Sequence, residues 1–407
     1  MRMVTVSSFR FRAEARRRAT WLAATALLLV WPAAAQAQLG RQLETGLLSW
    51  TPGVALRDVG TDSNIYLEPG NGRADRTMIF TPTVNLKLNT RRLQLQGDGI
   101  VDFVYFERFA EERSVNRKVN GRLQFDVGRF SPYVTGMDER ARERQPNQGD
   151  LRLLRDGRGY GAGVALGLTA KGTLELGFGR ARSAYDSGQT FRDIDLARSL
   201  TRRTETLTGG FRYALTGLTT FALDAARNQD FYVFDSNRDT DDRRFSGTLF
   251  FAPDAVIRGR LLVGYHRLRT RTPLAIPFRG VMADVNVGYT LKESSRFTFR
   301  YNRDTNASFD SPYNLQTSYG VDLIQDIAGP LKATAGVSRQ IIRHSENLFV
   351  SQLRRNERYD SYAVGLALNW STSIKSTLAY DVNRRRSSVV AENYLRTRLL
   401  ASVSLVL

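Results

Sequence analysis

The chain contains no cysteine and only two histidines, His266 and His344. Without cysteine there is no disulfide scaffold, no thiol catalysis and no thiolate metal site. With two histidines, a Ser-His-Asp arrangement would need one of them beside a serine and an acid in space, and nothing in the sequence places such a group. The motifs HExxH, GxSxG and GxxxxGK(S/T) are all missing. No cofactor or enzymatic activity is therefore expected. Beyond the N-terminal segment no run of 18 apolar residues occurs, so no membrane-spanning helix is expected there. No Pro/Gly/Ser linker or shift of composition divides the chain, which points to one domain.

What is present begins with an export signal. Arg10, Arg12, Arg16, Arg17 and Arg18 form a positive segment, residues 20–31 an apolar core, and Ala35-Gln36-Ala37 a small-x-small cleavage site. This order fits a secretory signal peptide over residues 1–37, too short to span a bilayer, with the mature chain starting at Gln38. The formal net charge is +19; losing six arginines and Glu14 with the leader brings it to +14.

The dominant pattern of the mature chain has period two. Near the C-terminus, Leu395, Thr397, Leu399, Ala401, Val403, Leu405 and Leu407 share one parity. Arg396, Arg398, Leu400, Ser402, Ser404 and Val406 share the other. Successive strand side chains point to opposite faces, whereas a helix of period 3.6 would mix the two sets. The same alternation runs through Val281–Tyr289, Phe297–Asn302 and Tyr362–Trp370.

Connections alternate as well. Short turns near residues 90, 130, 171, 216, 253, 294, 329 and 372 separate longer polar stretches near 58–77, 108–117, 144–157, 185–199, 234–243, 268–279, 304–314, 342–357 and 384–391. Eight short and nine long connections give eighteen strands, with sixteen as the alternative because segments 131–144 and 313–328 alternate less cleanly. Short turns at one end, long loops at the other and an even strand count describe a transmembrane antiparallel up-and-down β-barrel. Soluble sheets also alternate, but seldom keep strands of this length. Tyrosines and Trp370 toward strand ends suit the two membrane interfaces. The expected organisation is a signal peptide 1–37, a short periplasmic segment 38–46 and a barrel 47–407.

The stretch Thr51–Leu88, with Asp62-Ser63-Asn64-Ile65-Tyr66 and then Pro82, resembles the opening hairpin of the beta-barrel porin 2 family. Ser63 stands where the family often carries Asp. The rhythm of long hairpins to Leu407 extends the resemblance over the mature chain. It implies an outer-membrane barrel; some members of the family accompany exopolysaccharide export machinery.

The inward parity carries Lys87, Arg122, Arg212, Arg260, Arg300, Lys332, Arg396 and Arg398 against Asp98, Asp102, Asp126, Glu175, Asp224, Asp284, Asp322 and Asp381. Eight charges of each sign make a nearly neutral lumen wall, so the positive excess belongs to loops and strand ends. Arg267, Arg269 and Arg271, Arg354 and Arg355, and Arg384, Arg385 and Arg386 cluster there, and guanidinium forks suit lipopolysaccharide phosphates or other anions. The acids of Asp235–Asp242 sit at alternate positions, as calcium ligands do, but Thr240 and Ser246 stand where an EF-hand needs Gly and Glu.

The first functional reading is a porin-like passive channel for small polar solutes. An accessory barrel for exopolysaccharide export or anchoring is the second, and a surface enzyme using His266 or His344 the third. Expected partners are outer-membrane lipid and lipopolysaccharide, the barrel-assembly machinery, and small polar solutes or polysaccharide; export argues against nucleic acid. N-terminal sequencing of the exported protein should read from Gln38, and a retained Met1 would overturn the export argument.

Overall fold

The computed structural model describes residues 43–45, 47–144, 152–188, 190–191, 194–271, 276–308, 311–345, 355–389 and 392–406. The proposed leader and Leu407 lie outside them. Among the described residues, eighteen long strands form one antiparallel barrel. They are β1 (Leu48–Asp62), β2 (Asp75–Asn89), β3 (Leu93–Phe106), β4 (Ser114–Phe125), β5 (Phe130–Arg144), β6 (Arg152–Gly167), β7 (Gly172–Tyr185), β8 (Arg202–Ala214) and β9 (Thr219–Tyr232). The second half comprises β10 (Thr240–Phe251), β11 (Ile257–Thr270), β12 (Phe278–Leu291), β13 (Ser295–Asn306), β14 (Asn314–Ala328), β15 (Leu331–His344), β16 (Asn356–Asn369), β17 (Ile374–Ser387) and β18 (Tyr394–Val406). Each strand pairs with the next, and β18 returns to β1 from Val406↔Gly53 to Arg398↔Asp62, which closes the barrel. Leu43–Thr45 folds back on the start of β1.

The turn asymmetry expected from the sequence is present. Residues 90–92, 168–171, 292–294 and 329–330 are short turns, while 63–74, 107–113 and 233–239 are longer connections at the other end. Segment 131–144 and all of 313–328 but its first residue fall within strands, so the described residues hold eighteen long strands. The second turn lies at residues 126–129, just before Phe130. β1 runs further into the first loop than its alternation suggests, because a bulge interrupts the parity at Asp58. Asp58 adopts a positive φ of 53°, and Gly60 after it packs so tightly on the Leu399 carbonyl that no Cβ would fit. The extra residue shifts the register by one beyond it.

The two faces are told apart by contacts that skip strands, since only the concave side lets side chains cut across a curve. Arg57 on β1 reaches Asp102 on β3 at 2.7 Å, and Arg244 on β10 reaches Asp304 on β13 at 2.7 Å. The opposite face carries apolar rows. Phe245, Tyr265 and Val281, in register on β10–β12, are each more than half exposed. Leu207, Val364 and Leu399 continue that band on other strands. Apolar surface on this scale is stable against lipid rather than water.

On β13, Arg300 and Asn302 bond inward to Asp322 and Asp284 while Phe297 and Phe299 point out. Single cysteines placed at Thr298, Arg300 and Asn302 of this cysteine-free chain should react with a water-soluble reagent. Those at Phe297, Phe299 and Tyr301 should be shielded by lipid. Reversed reactivity would mean a register off by one residue, which flips every side chain.

Candidate functional site

Eighteen strands spaced about 4.8 Å apart and tilted about 40° enclose a backbone cylinder roughly 35 Å across, too wide for side chains to fill. The interior wall is therefore the candidate site, and its charges come in contact pairs. Arg300 donates to Asp322 at 2.7 Å, Arg260 to Asp284 at 2.9 Å, and Arg398 to Asp381 at 3.0 Å. Arg396 forks onto both oxygens of Asp62. Arg57 donates to Asp102 and to Thr81, whose hydroxyl also donates to Asp102 at 2.7 Å. Arg122 and Arg212 flank Glu175 at 3.9 and 3.8 Å. Lys332 binds Asp326 at 2.6 Å. Asn120 donates to Asp98, and Gln94 and Gln124 donate to Asp126. Hydrogen bonds from Ser131 and Gln124, at the β4–β5 turn, hold the Asp126 carboxyl below its ordinary range. Lys87 borders a recess of about 670 Å³, and Asp224 borders another beside Arg244 and Arg260.

The first recess has little charge and few side chains on one side. Gly159 and Gly161 on β6, Gly177 and Gly179 on β7, and Thr206 and Thr208 on β8 line it. Tyr133 of β5 lies flat along this wall, so close to Gly163 and Gly177 that a Cβ at either would collide with its hydroxyl end. The Arg122 guanidinium stacks 3.7 Å above the ring. The second large recess, near 580 Å³, is bordered by Arg260, Arg300, Arg396 and Arg398 with Asp284 and Asn302.

Toward the long-loop end the wall becomes buried. His266 is fully buried between Asp242, 3.1 Å from Nδ1, and Asp304, 3.7 Å from Nε2, with Arg244 bonded to both carboxylates. Its ring packs 4.8 Å from that of Phe278. A catalytic triad needs a hydroxyl at the second nitrogen, where this site has a second carboxylate. His344 lies 3.4 Å from buried Glu357. The Asp235–Asp242 loop forms no oxygen cage. Asp235 caps Asn237, Asp239 accepts from the Tyr232 amide, Asp241 binds Arg227 and Asp242 faces His266.

Two arginines assigned by sequence to the anion-binding rim are in fact interior. Arg385 pairs with Tyr359 in register on the inward parity and is 2% exposed. It donates to Glu392 at 2.6 Å and pairs with Glu357 at 3.1 Å. Arg355 binds the same two carboxylates. Burial of these guanidinium groups is tolerated because both acids are buried with them. Arg384 and Arg386 are exposed on the outer face of β17, Arg267 and Arg269 sit on the outer face of β11, and Arg271 lies 3.6 Å from Asp239. Arg354 lies outside the described residues. Sequence reading missed Arg57, Asp62, Arg244 and Glu357. The Asp58 bulge hides the parity of Arg57; Asp62 and Glu357 fall in stretches read as loop, and Arg244 lies one residue beyond another.

The 186–201 connection also turns inward. Leu196 and Leu200 of the helix Leu196–Leu200 pack on Leu153 of β6 beside Tyr185 of β7, which share the concave face. Asp195 caps the helix by accepting from the Arg198 amide at 3.1 Å. The helix therefore docks on the concave face at the long-loop end. At the first loop, Tyr66 donates to Glu111 at 2.9 Å and lies under Arg73, and burial together with that hydrogen bond pushes its hydroxyl pKa up to about 12.

A closed, lipid-faced cylinder with a polar interior defines a membrane-spanning β-barrel of the outer-membrane type. Neither a family model nor a curated protein sequence matches the chain. Solved structures do. Pseudomonas aeruginosa OccK2 (OpdF) is 13% identical with a TM-score of 0.54, over 88% of this chain and 98% of that one. The same protein in complex with glucuronate gives 12% identity and 0.53 over 88% and 98%. The outer membrane protein OpdK from Pseudomonas aeruginosa gives 12% and 0.50 over 88% and 99%. At this identity the likeness is one of fold. Replacing Leu196 and Leu200 together by Ser should free the helix from the wall and raise single-channel conductance. Unchanged conductance would show that the helix does not border the water-filled path.

Proposed function

We propose that the protein is an outer-membrane channel through which small polar solutes diffuse passively. The observation that carries this reading is the wall itself: a barrel too wide to fill, lined by acid–base pairs that neutralise one another and by a stretch of glycine. Such a wall wets readily and holds no solute strongly. Of the eight basic and eight acidic side chains assigned to the lumen from sequence, Arg300, Arg260 and Arg398 pair with Asp322, Asp284 and Asp381, and Arg122 and Arg212 flank Glu175, which supports this reading. The proposal includes export with cleavage after Ala37 and insertion by the barrel-assembly machinery. It also includes contact of the exposed outer arginines with lipopolysaccharide and kinship with the beta-barrel porin 2 family.

Planar-bilayer recording of the purified barrel tests the reading, and liposome swelling with glucuronate-sized solutes extends it. Open, weakly selective conductance is expected; no conductance under any condition would reject the channel. The pairing makes a sharper prediction. Asp322→Asn leaves Arg300 uncompensated in the lumen and should shift selectivity toward anions, while Arg300→Gln should shift it toward cations. An unpaired unit charge about 10 Å from a permeant ion in water biases its free energy by about 0.4 kcal/mol, so each shift should be roughly twofold at low salt. Screening beyond about 8 Å should erase it near physiological salt and above. Shifts of the same sign in both variants would show that the pair does not face the permeation path.

A further inference from the structure

The outer face of β9–β12 at the long-loop end carries a charge arrangement that the chain itself does not balance. Arg227 pairs in register with Arg243, Arg243 with Arg267, and Arg267 with Arg279, so four guanidinium groups stand side by side on adjacent strands. Directly opposed like charges destabilise a sheet. A single acid serves the row: Asp241 accepts from Arg227 at 2.9 and 3.1 Å and lies 3.5 Å from Arg243. Among the described residues Arg267 and Arg279 have no acidic partner, and the Arg267 Nε is buried with no hydrogen-bond partner.

Elsewhere on this face the acids are shared differently. Asp138 lies between Arg117 and Arg158, at 3.3 and 3.2 Å, and Glu205 between Arg180 and Arg203, at 3.5 and 3.4 Å. Each of those acids serves two arginines. The β9–β12 row has one acid for four, and Arg269 beside Asp241 in register adds a fifth cation.

The position of the row names the missing anion. Two residues toward the membrane centre on β10–β12 lie Phe245, Tyr265 and Val281, the edge of the apolar band. The guanidinium groups therefore stand at headgroup level rather than in the loops. Adjacent strands about 4.8 Å apart make the row roughly 14 Å long, enough to span two phosphates, with the Arg267 and Arg279 forks, which Asp241 does not engage, open to one of them. We propose that this face binds the headgroup of a bisphosphorylated glycolipid of the outer leaflet. The proposal deepens the lipopolysaccharide contact proposed above and rests on it and on the barrel being oriented with its long loops outside; it is independent of whether the lumen conducts.

The test uses the full barrel in detergent, with bisphosphorylated lipid A, the same lipid stripped of phosphate, and inorganic phosphate as probes. Native mass spectrometry reads retained lipid and thermal melting reads stability. Wild type should retain the bisphosphorylated lipid and melt higher with it. It should not respond to the dephosphorylated lipid, and millimolar inorganic phosphate should not displace the bound lipid. The variant Arg267→Gln/Arg279→Gln should lose at least tenfold in retention, whereas Arg117→Gln should keep it. Without lipid, the double variant should melt above wild type, because the repulsion is relieved. Equal retention by the double variant, equal binding of the dephosphorylated lipid, displacement by millimolar phosphate, or a lower melting point of the lipid-free double variant would each overturn the proposal. Conductance measured on the same preparations should be the same in all variants, so a failure of the channel reading shows itself separately.

Discussion

A backbone that crosses hydrocarbon must satisfy every peptide N–H and C=O within the protein, and the rest of this architecture depends on that constraint. A sheet meets it only by having no edge, so the last strand must find the first. The β1–β18 seam does this, and its hydrogen bonding continues beyond the regular ladder. Ser63 donates from its amide to the Thr397 carbonyl and accepts from the Thr397 amide, while Asn64 donates to the Leu395 carbonyl. Arg396 forks onto Asp62 at the same place. The Asp62–Tyr66 segment, which carried the resemblance to a known family, thus fastens the first loop to the final strand.

Closure also separates two electrostatic environments. Along the middle of the lumen, Arg and Asp side chains are partly solvated, as at Arg300–Asp322 and Arg260–Asp284, and each pair contributes little to stability. At the loop end the groups around Glu357, Arg385 and Glu392 are almost fully buried. There the loss of one partner would strand a charge, at a cost of about 3–5 kcal/mol. Mid-wall charges set the field within the lumen, and the buried clusters tie neighbouring strand ends together.

Period-two patterning made the strand count, the turn asymmetry and the inward parity of residues such as Arg300 and Asp381 legible in the sequence. It works because lipid and water impose opposite demands on alternate side chains. It loses its grip where those demands change. At Asp58 one inserted residue shifts the phase, so Arg57 could not be assigned to a face. At the long-loop end the outside is no longer lipid and the inside no longer open water, so parity ceases to predict chemistry. Arg355 and Arg385 look like rim cations when only the basic residues are considered, and the neighbouring Glu357 and Glu392 show them to be interior. The helix Leu196–Leu200 was hidden in a connection read as polar, although its leucines four residues apart, Leu196 and Leu200, lie on the face that docks.

Tyr133 lies against a wall made of glycine, and its ring has room to lie flat only because Gly163 and Gly177 have no side chains. An added methyl at Gly163 would also meet the Leu176 carbonyl at 2.5 Å, so backbone would have to move there, whereas at Gly177 it would press on the Thr208 hydroxyl at 2.9 Å and the Tyr133 hydroxyl at 3.0 Å and displace the ring on which Arg122 stacks. Bore and charge would then change together through a substitution that adds no functional group. A lineage descended from this barrel can reshape its lumen in small inheritable steps, each beginning at a wall position that has no side chain of its own.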